Sequence, residues 1–301
     1  MSHPPAPGRV RFGICSDPHK DIMHDADQRL QVFVDRMNRA RVDFVIHLGD
    51  FCRPYEYNRS FMDVWEGFDG SRHHVLGNHD PDGDFTREQV MAYWGMPSRY
   101  YSFDVGGYHF VVLDGNDRKE DPIPGYPRYI APDQLVWLRE DLNASDAPAF
   151  VFSHQSLEDP EGLENGEHVR AVLEEANEAA GRRKIVACFS GHHHIDYCTR
   201  INGIHYIQIN SMSNYWLGGD YLCIRYSGEI DRQYPWVKYT APYRDSLYGL
   251  VALESTGAIT IEGVDSEFVG PSPWELGYPH EEFRDRIVPR IAPRRLEMAG
   301  L

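Results

Sequence analysis

An α/β fold containing strands of both directions is what this sequence predicts, on three observations. Short apolar runs alternate with stretches of helical periodicity from Arg9 to Gly263, the pattern of strand-helix units. Five segments set Asp, Asn or His immediately beyond such a run. Gly106-Gly107 and Asn202-Gly203 each separate two strand-like runs, which is the chemistry of a tight hairpin and brings in antiparallel strands.

The first unit is a strand over Val10–Cys15, a polar turn Ser16-Asp17-Pro18-His19, and a helix from about Ala26 to Arg41. Its Leu30, Phe33, Val34 and Met37 recur at helical spacing and read as a core stripe. A second strand, Phe44–Leu48, ends in Gly49-Asp50, and a third, His74–Leu76, ends in Gly77-Asn78-His79-Asp80. Tyr100–Phe103 and Tyr108–Leu113 flank the first hairpin turn. Pro132–Leu142 reads as a helix with Leu135, Leu138 and Leu142 on one face, and Ala149–Phe152 as a strand ending at Ser153-His154. A helix over Val169–Ala180 leads to the strand Ile185–Phe189, which ends at Gly191-His192-His193-His194. Tyr197–Ile201 pairs with Ile204–Ile209, and one more hairpin is expected around Thr256-Gly257.

Residues 9–264 form the expected domain, with 216–246 as a cap-like insertion and 265–301 as a Pro-studded accessory segment. The tail's Trp274, Leu276, Phe283, Ile287 and Ile291 are too apolar for a linker. It is expected either to wrap the domain or to supply a contact in a homo-oligomer.

At 301 residues, 42% of them apolar, the chain can bury one large core. Its formal charge of −16 argues against a general grip on nucleic acid, which needs an electropositive face. A small anion held through metal ions remains open. No apolar stretch reaches spanning length, and Met1–Gly8 is a short Pro-rich segment expected to fray, without the pattern of a targeting signal. The five cysteines are scattered without metal-type spacing. A reduced, cytoplasmic setting with no membrane partner is expected.

Ligands of α/β sheets bind beyond the carboxyl ends of the strands. Imidazole, carboxylate and amide oxygen suit divalent transition metals, and the absence of cysteine from the set argues against a structural zinc cluster. A single Asp or His at such a place is most often a turn former or a helix cap. The ordered set Asp17-x-His19, Gly49-Asp50, Gly77-Asn78-His79-Asp80, His154 and Gly191-His192-x-His194 is different, because its seven donors suffice for two metal ions. His193, between two of them, would point the other way in an extended segment, and Asp114 reads as a turn residue.

In these motifs the chain resembles the calcineurin-like metallophosphoesterases, whose D-x-H, G-D, G-N-H-D/E, lone H and G-H-x-H occur in that order. The resemblance covers about Arg9 to Ser211, with a look of the cyclic-nucleotide phosphodiesterase branch. It implies a four-layer α/β/β/α sandwich, two mixed sheets face to face with helices on both outer faces. It implies one metal on Asp17, His19 and His194, another on Asn78, His154 and His192, and the carboxylate of Asp50 bridging both. The ions would be two divalent or trivalent transition metals, Mn, Fe or Zn. The implied reaction is phosphoester hydrolysis, with a metal-bridging hydroxide attacking phosphorus in line. His79 would protonate the departing oxygen or stabilise the developing charge, and Asp80 would orient it.

Purple acid phosphatases carry a metal-binding Tyr three residues after the bridging Asp. Arg53 stands at that position here, so no tyrosinate-iron colour is expected. Arg53 is a candidate for contacting phosphate or a neighbouring carboxylate, with a surface salt bridge as the equal alternative. Tyr126, Arg128, Tyr129, Tyr215 and Trp216 are candidates for a substrate rim, although Tyr and Trp also pack at sheet edges. The expected partner is a small phosphorylated substrate, a phosphodiester ahead of a phosphomonoester or a nucleotide pyrophosphate. The alternative from another class is a metal-binding scaffold without catalysis, a role that usually goes with a broken ligand set.

Overall fold

The structure, a computed structural model, describes residues 8–298. Of the segment expected to fray, all but Gly8 lies outside the described residues, as do 299–301 of the tail.

The chain starts in one sheet, crosses to a second and returns. β1 (Val10–Cys15), β2 (Phe44–His47) and β3 (Ser71–His74) run parallel to one another. The second sheet takes β4 (Tyr101–Val105), β5 (Tyr108–Val112), β6 (Ala149–Phe152), β7 (Ile185–Ser190), β8 (Tyr197–Ile201) and β9 (Ile204–Gln208). Their spatial order is β4-β5-β6-β7-β9-β8, with antiparallel pairs at both edges and parallel pairing between. A short ribbon follows, β10 (Asn214–Trp216) against β11 (Thr240–Pro242). Then β12 (Gly249–Glu254), β13 (Ala258–Glu262) and β14 (Arg294–Glu297) rejoin the first sheet antiparallel, in the order β14-β13-β12-β1-β2-β3. Both sheets are mixed, as the hairpins require.

The layers follow from side-chain alternation. On the outside of the first sheet, α1 (Ala26–Ala40) buries Leu30, Phe33, Val34 and Met37. A Cβ on Gly13 would stand 2.5 Å from Met37 Sδ, so only bare backbone lets α1 settle on β1. Beside it, α2 (Arg59–Glu66) buries Phe61, Met62 and Trp65, and α3 (Arg87–Trp94) starts at a Thr86–Gln89 capping box. On the second sheet, Phe110 and Val112 of β5 belong to the core between the sheets. Val111 and Leu113 belong to the core beneath α4 (Pro132–Ala144) and α5 (Gly166–Ala180). Phe12 stacks on Phe44 at 4.8 Å and meets the edges of Phe110, Phe152 and Phe189 at 6.0 Å, joining the two sheets through aromatic contacts.

Three segments differ from the sequence reading. β3 begins at Ser71 instead of His74, because it pairs on one side only and carries the polar run Ser-Arg-His-His, which has little apolar signal. The helices α2 and α3 stand where no helix was expected. Residues 265–298 bury Ile287 and Ile291, and add β14 to the sheet edge. Arg294 from this segment pairs with Asp196 at 2.6 Å. Among the described residues no helix is long and apolar enough to cross a membrane.

His109 of β5 is held between Asp104 at 2.7 Å and Asp141 of α4 at 2.9 Å. Burial opposes its charge, but the carboxylates of Asp141 and Asp104 outweigh burial and raise its pKa. A histidine with a raised native pKa contributes its full stabilisation below the unfolded value of about 6.5, and loses it as pH climbs through the native value. The urea-unfolding stability gap between wild type and His109→Gln should therefore be wider near pH ~6 than near pH ~9. Equal gaps would show that these ion pairs contribute nothing.

Candidate metal centre

β1, β2 and β3 of one sheet and β6 and β7 of the other deliver their following residues to a common place. Leaving the strands so abruptly takes left-handed backbone. φ is 49° at Asp17, His19 and Asp50, 69° at His192 and 53° at His194, five of the eight positive-φ residues other than glycine among the described residues. Such conformations cost of order 1–3 kcal/mol each and persist where the surroundings over-determine them. Here Asp17 N–H donates to Gly49 O at 3.1 Å, His19 N–H to Asp50 O at 3.1 Å, and His192 N–H to the Asp17 carboxylate at 3.0 Å.

The loops also touch through glycine. A Cβ on Gly77 would overlap both the backbone nitrogen and the carboxylate of Asp50, and one on Gly191 would overlap Ser16 Oγ. Two of the glycines in the sequence motifs are thus explained by close approach.

The donors fall into two groups. Asp17, His19 and His194 form one, and Asp50, His154 and His192 the other, each with ligand atoms within 4.8 Å of one another. Asn78 Oδ1 joins the second group at 3.0 Å from His154 Nε2. Asp50 Oδ2 lies between the groups, 3.8 Å from His19 Nε2 and 3.3 Å from His154 Nε2.

A positive charge belongs among these atoms. His194 Nδ1 donates to Asn214 O at 2.7 Å, which leaves Nε2 facing Asp17 Oδ1 at 3.2 Å and His19 Nε2 at 3.1 Å. Asp17 Oδ1 is buried without a hydrogen-bond partner. His154 Nδ1 donates to Leu48 O at 2.7 Å, and its Nε2 faces Asn78, Asp50 and His192 Nδ1, the last at 3.2 Å. Acceptors packed this closely need a cation. Burial opposes charge on His154, but Asp50 and Asp17 outweigh it and push the pKa up to about 10. Burial likewise opposes ionisation of Asp17 and Asp50, yet neighbouring histidines hold both well below the ordinary carboxylate range. His19 is pushed down to about 3, chiefly by burial, and so presents a free lone pair. The set fits two metal ions, and its second shell of backbone carbonyls fixes the imidazole tautomers.

Asp80 does not orient His79. Its carboxylate accepts the backbone N–H groups of Asp50 at 3.0 Å, Phe51 at 2.7 Å and Gly77 at 2.7 Å, binding the loops after β2 and β3 together. The partner of His79 Nδ1 is Asp82, at 2.9 Å. Burial opposes charge on His79, but Asp50 and Asp82 outweigh it and raise the pKa. Asp82 also receives Arg53 Nη2 at 3.0 Å and Tyr126 OH at 3.2 Å. Arg53 thus has a neighbouring carboxylate.

Beside the donors opens a cavity of about 580 Å³, lined among others by Arg53, His79, Tyr126, Tyr215, Trp216 and Trp236. Trp236 was not singled out in the sequence, and neither were Asp82 and Asn214; none of the three belongs to a strand-end motif. Asp114 is bound by Arg87 at 2.6 Å and Arg99 at 3.2 Å, apart from the metal groups. His193 Nε2 meets Ser156 Oγ at 3.0 Å.

The family model of calcineurin-like phosphoesterases matches residues 10–196. A search of curated proteins finds no match. Among solved structures, a dimetal phosphatase from Danio rerio superposes with a TM-score of 0.63 at 19% identity, over 87% of this chain and 99% of that one. GAP50 of Plasmodium, described as the anchor in the inner membrane complex, superposes at 0.54 with 17% identity, over 85% of this chain and 84% of its own. At these identities the likeness speaks for the fold.

If close packing against Gly77 positions Asp50, Gly77→Ala should bind about half as much metal as wild type, or less, with unchanged far-UV circular dichroism. Elemental analysis of the dialysed proteins reads this directly. Equal metal content in both would break the link.

Proposed function

Because this chain belongs to the calcineurin-like phosphoesterase family, we propose that it hydrolyses small phosphoesters with two transition-metal ions held by seven side chains. Asp17, His19 and His194 hold one ion, Asn78, His154 and His192 the other, and Asp50 both. The observation that supports this most is the convergence of Asp, Asn and His side chains from five separate loops on two adjacent groups. When bound, two such ions polarise the phosphoryl oxygens and ease the deprotonation of water.

The protein's own groups do the rest. His79, with Nδ1 engaged by Asp82, has Nε2 to deliver a proton to the departing oxygen. Asp82 is the positioning residue that Asp80 was expected to be. Asp80 instead holds the loop from which Asp50 projects. Arg53 and the aromatic residues of the cavity wall contact the substrate.

A phosphodiester is the preferred substrate, since a cavity of about 580 Å³ is far larger than a phosphoryl group needs. A phosphomonoester or a nucleotide pyrophosphate is the alternative. The rival of another class, a metal-binding scaffold, is disfavoured by the complete donor set. We place the protein in a reducing, cytoplasmic setting on its five unpaired cysteines, three of them buried.

Purified protein should carry about two transition-metal ions per chain. It should hydrolyse at least one of bis(p-nitrophenyl) phosphate, p-nitrophenyl phosphate and a nucleotide panel when loaded with Mn, Fe or Zn, and lose that activity on chelation. His79→Ala should keep its metal and lose roughly 10²–10⁴-fold in kcat. Full turnover by that variant would remove His79 from the chemistry, and silence on the whole panel with every metal would restore the scaffold reading.

A further inference from the structure

The cleft has two lobes. Beside the cavity of about 580 Å³ lies another of about 300 Å³, and Tyr126, His192 and His193 line both. The donors His19, Asp50 and His194 line the larger lobe and His192 stands where the two lobes meet, so a phosphorus bound there has room for a substituent in each.

The two lobes differ in chemistry. The larger is walled by Tyr215, Trp216 and Trp236. Trp216 and Trp236 are 42% and 52% exposed, an unusual state for two large rings in one wall. Both rest on Tyr239, Trp216 stacked at 5.8 Å with planes 9° apart and Trp236 tilted at 5.4 Å. Packing on Tyr239 helps to hold both indoles in place, and both line the cavity. Tyr215 is fixed in turn by Tyr278 of the C-terminal segment, hydroxyl to hydroxyl at 3.1 Å.

The smaller lobe is lined by Arg128, Glu161 and His193 together with Pro124 and Pro127. Arg128 is anchored on Glu161 O at 2.7 Å, and Glu161 is largely exposed. This lobe sets the donors and acceptors of Arg128, Glu161 and His193 beside the two prolines and, among the described residues, has no tryptophan in its wall.

On this asymmetry, and resting on the phosphoesterase reading, the geometry points to an unsymmetrical phosphodiester as substrate: one arm carries a flat aromatic ring packed against Trp216 and Trp236, and the other a small hydroxylated group in the Arg128 lobe. A flat ring is favoured over a saturated one because face contact with one indole and edge contact with the other are available at little entropic cost.

Phosphinates test this without turnover, since they keep the single charge of a diester and contain no P–O ester bond to cleave. Calorimetric titration of the Zn-loaded protein with benzyl(2-hydroxyethyl)phosphinate should give an affinity about tenfold above that of the cyclohexylmethyl analogue. Replacing hydroxyethyl by ethyl should cost about fivefold. In Trp236→Ala and in Trp216→Ala, the benzyl preference should fall to about twofold or less. Equal binding of benzyl and cyclohexylmethyl probes overturns the aromatic arm, and equal binding of hydroxyethyl and ethyl probes overturns the polar one. A preference that survives both tryptophan variants also overturns the assignment. These outcomes are separate from the phosphoesterase reading, which the hydrolysis panel decides alone.

Discussion

The architecture turns on one buried carboxylate. Asp50 accepts the N–H of His79 through Oδ1 at 2.8 Å, and its Oδ2 reaches toward His19 and His154, so a single side chain touches the loops after β1, β3 and β6. Its own position depends on Asp80 gripping the backbone at Asp50 and Phe51, and on Gly77 being bare. The inter-sheet phenylalanines set the two sheets at a distance that lets these loops meet. Strained backbone at five donor positions is the cost of bringing so many short side chains to one place, and the hydrogen bonds between loops offset it.

Much of this was legible in the sequence, for reasons that are physical. A parallel strand buried on both faces is a run of apolar residues, and the residue just beyond it has little choice but to face the sheet edge. Asp17, Asp50, His154, His192 and His194 are readable in that way. The glycines before Asp50, Asn78 and His192 mark where backbone or neighbouring side chains press together. β3 is read three residues late because an edge strand with a polar face carries almost no periodic signal, and α2 and α3 lie between motifs with no long apolar stripe.

What the sequence hid is the pairing of side chains from different loops. Asp80 follows His79 directly, and adjacency suggested a partnership. The turn instead carries Asp80 back under β2 and brings Asp82, three residues on, against the imidazole. Likewise Asn214 fixes the tautomer of His194 with a backbone carbonyl, a contact that no residue type announces. The walls of the cleft come from residues scattered between His19 and Trp236, with Tyr278 bracing one of them from the C-terminal segment.

The return of the chain to its first sheet has a temporal side. β1, which leads into Asp17 and His19, is flanked by β2 on one side and by β12 on the other, with Val10 opposite Leu253. About 240 residues must therefore be made between the two partners before the central strand of that sheet gains its second neighbour. Pairing across so long a separation is slow to close and entropically demanding. The second sheet has all its strands by Gln208, before β12, β13 and β14 are made, so the loop bearing Asp17 and His19 gains its second flanking strand only when the chain returns from the other sheet.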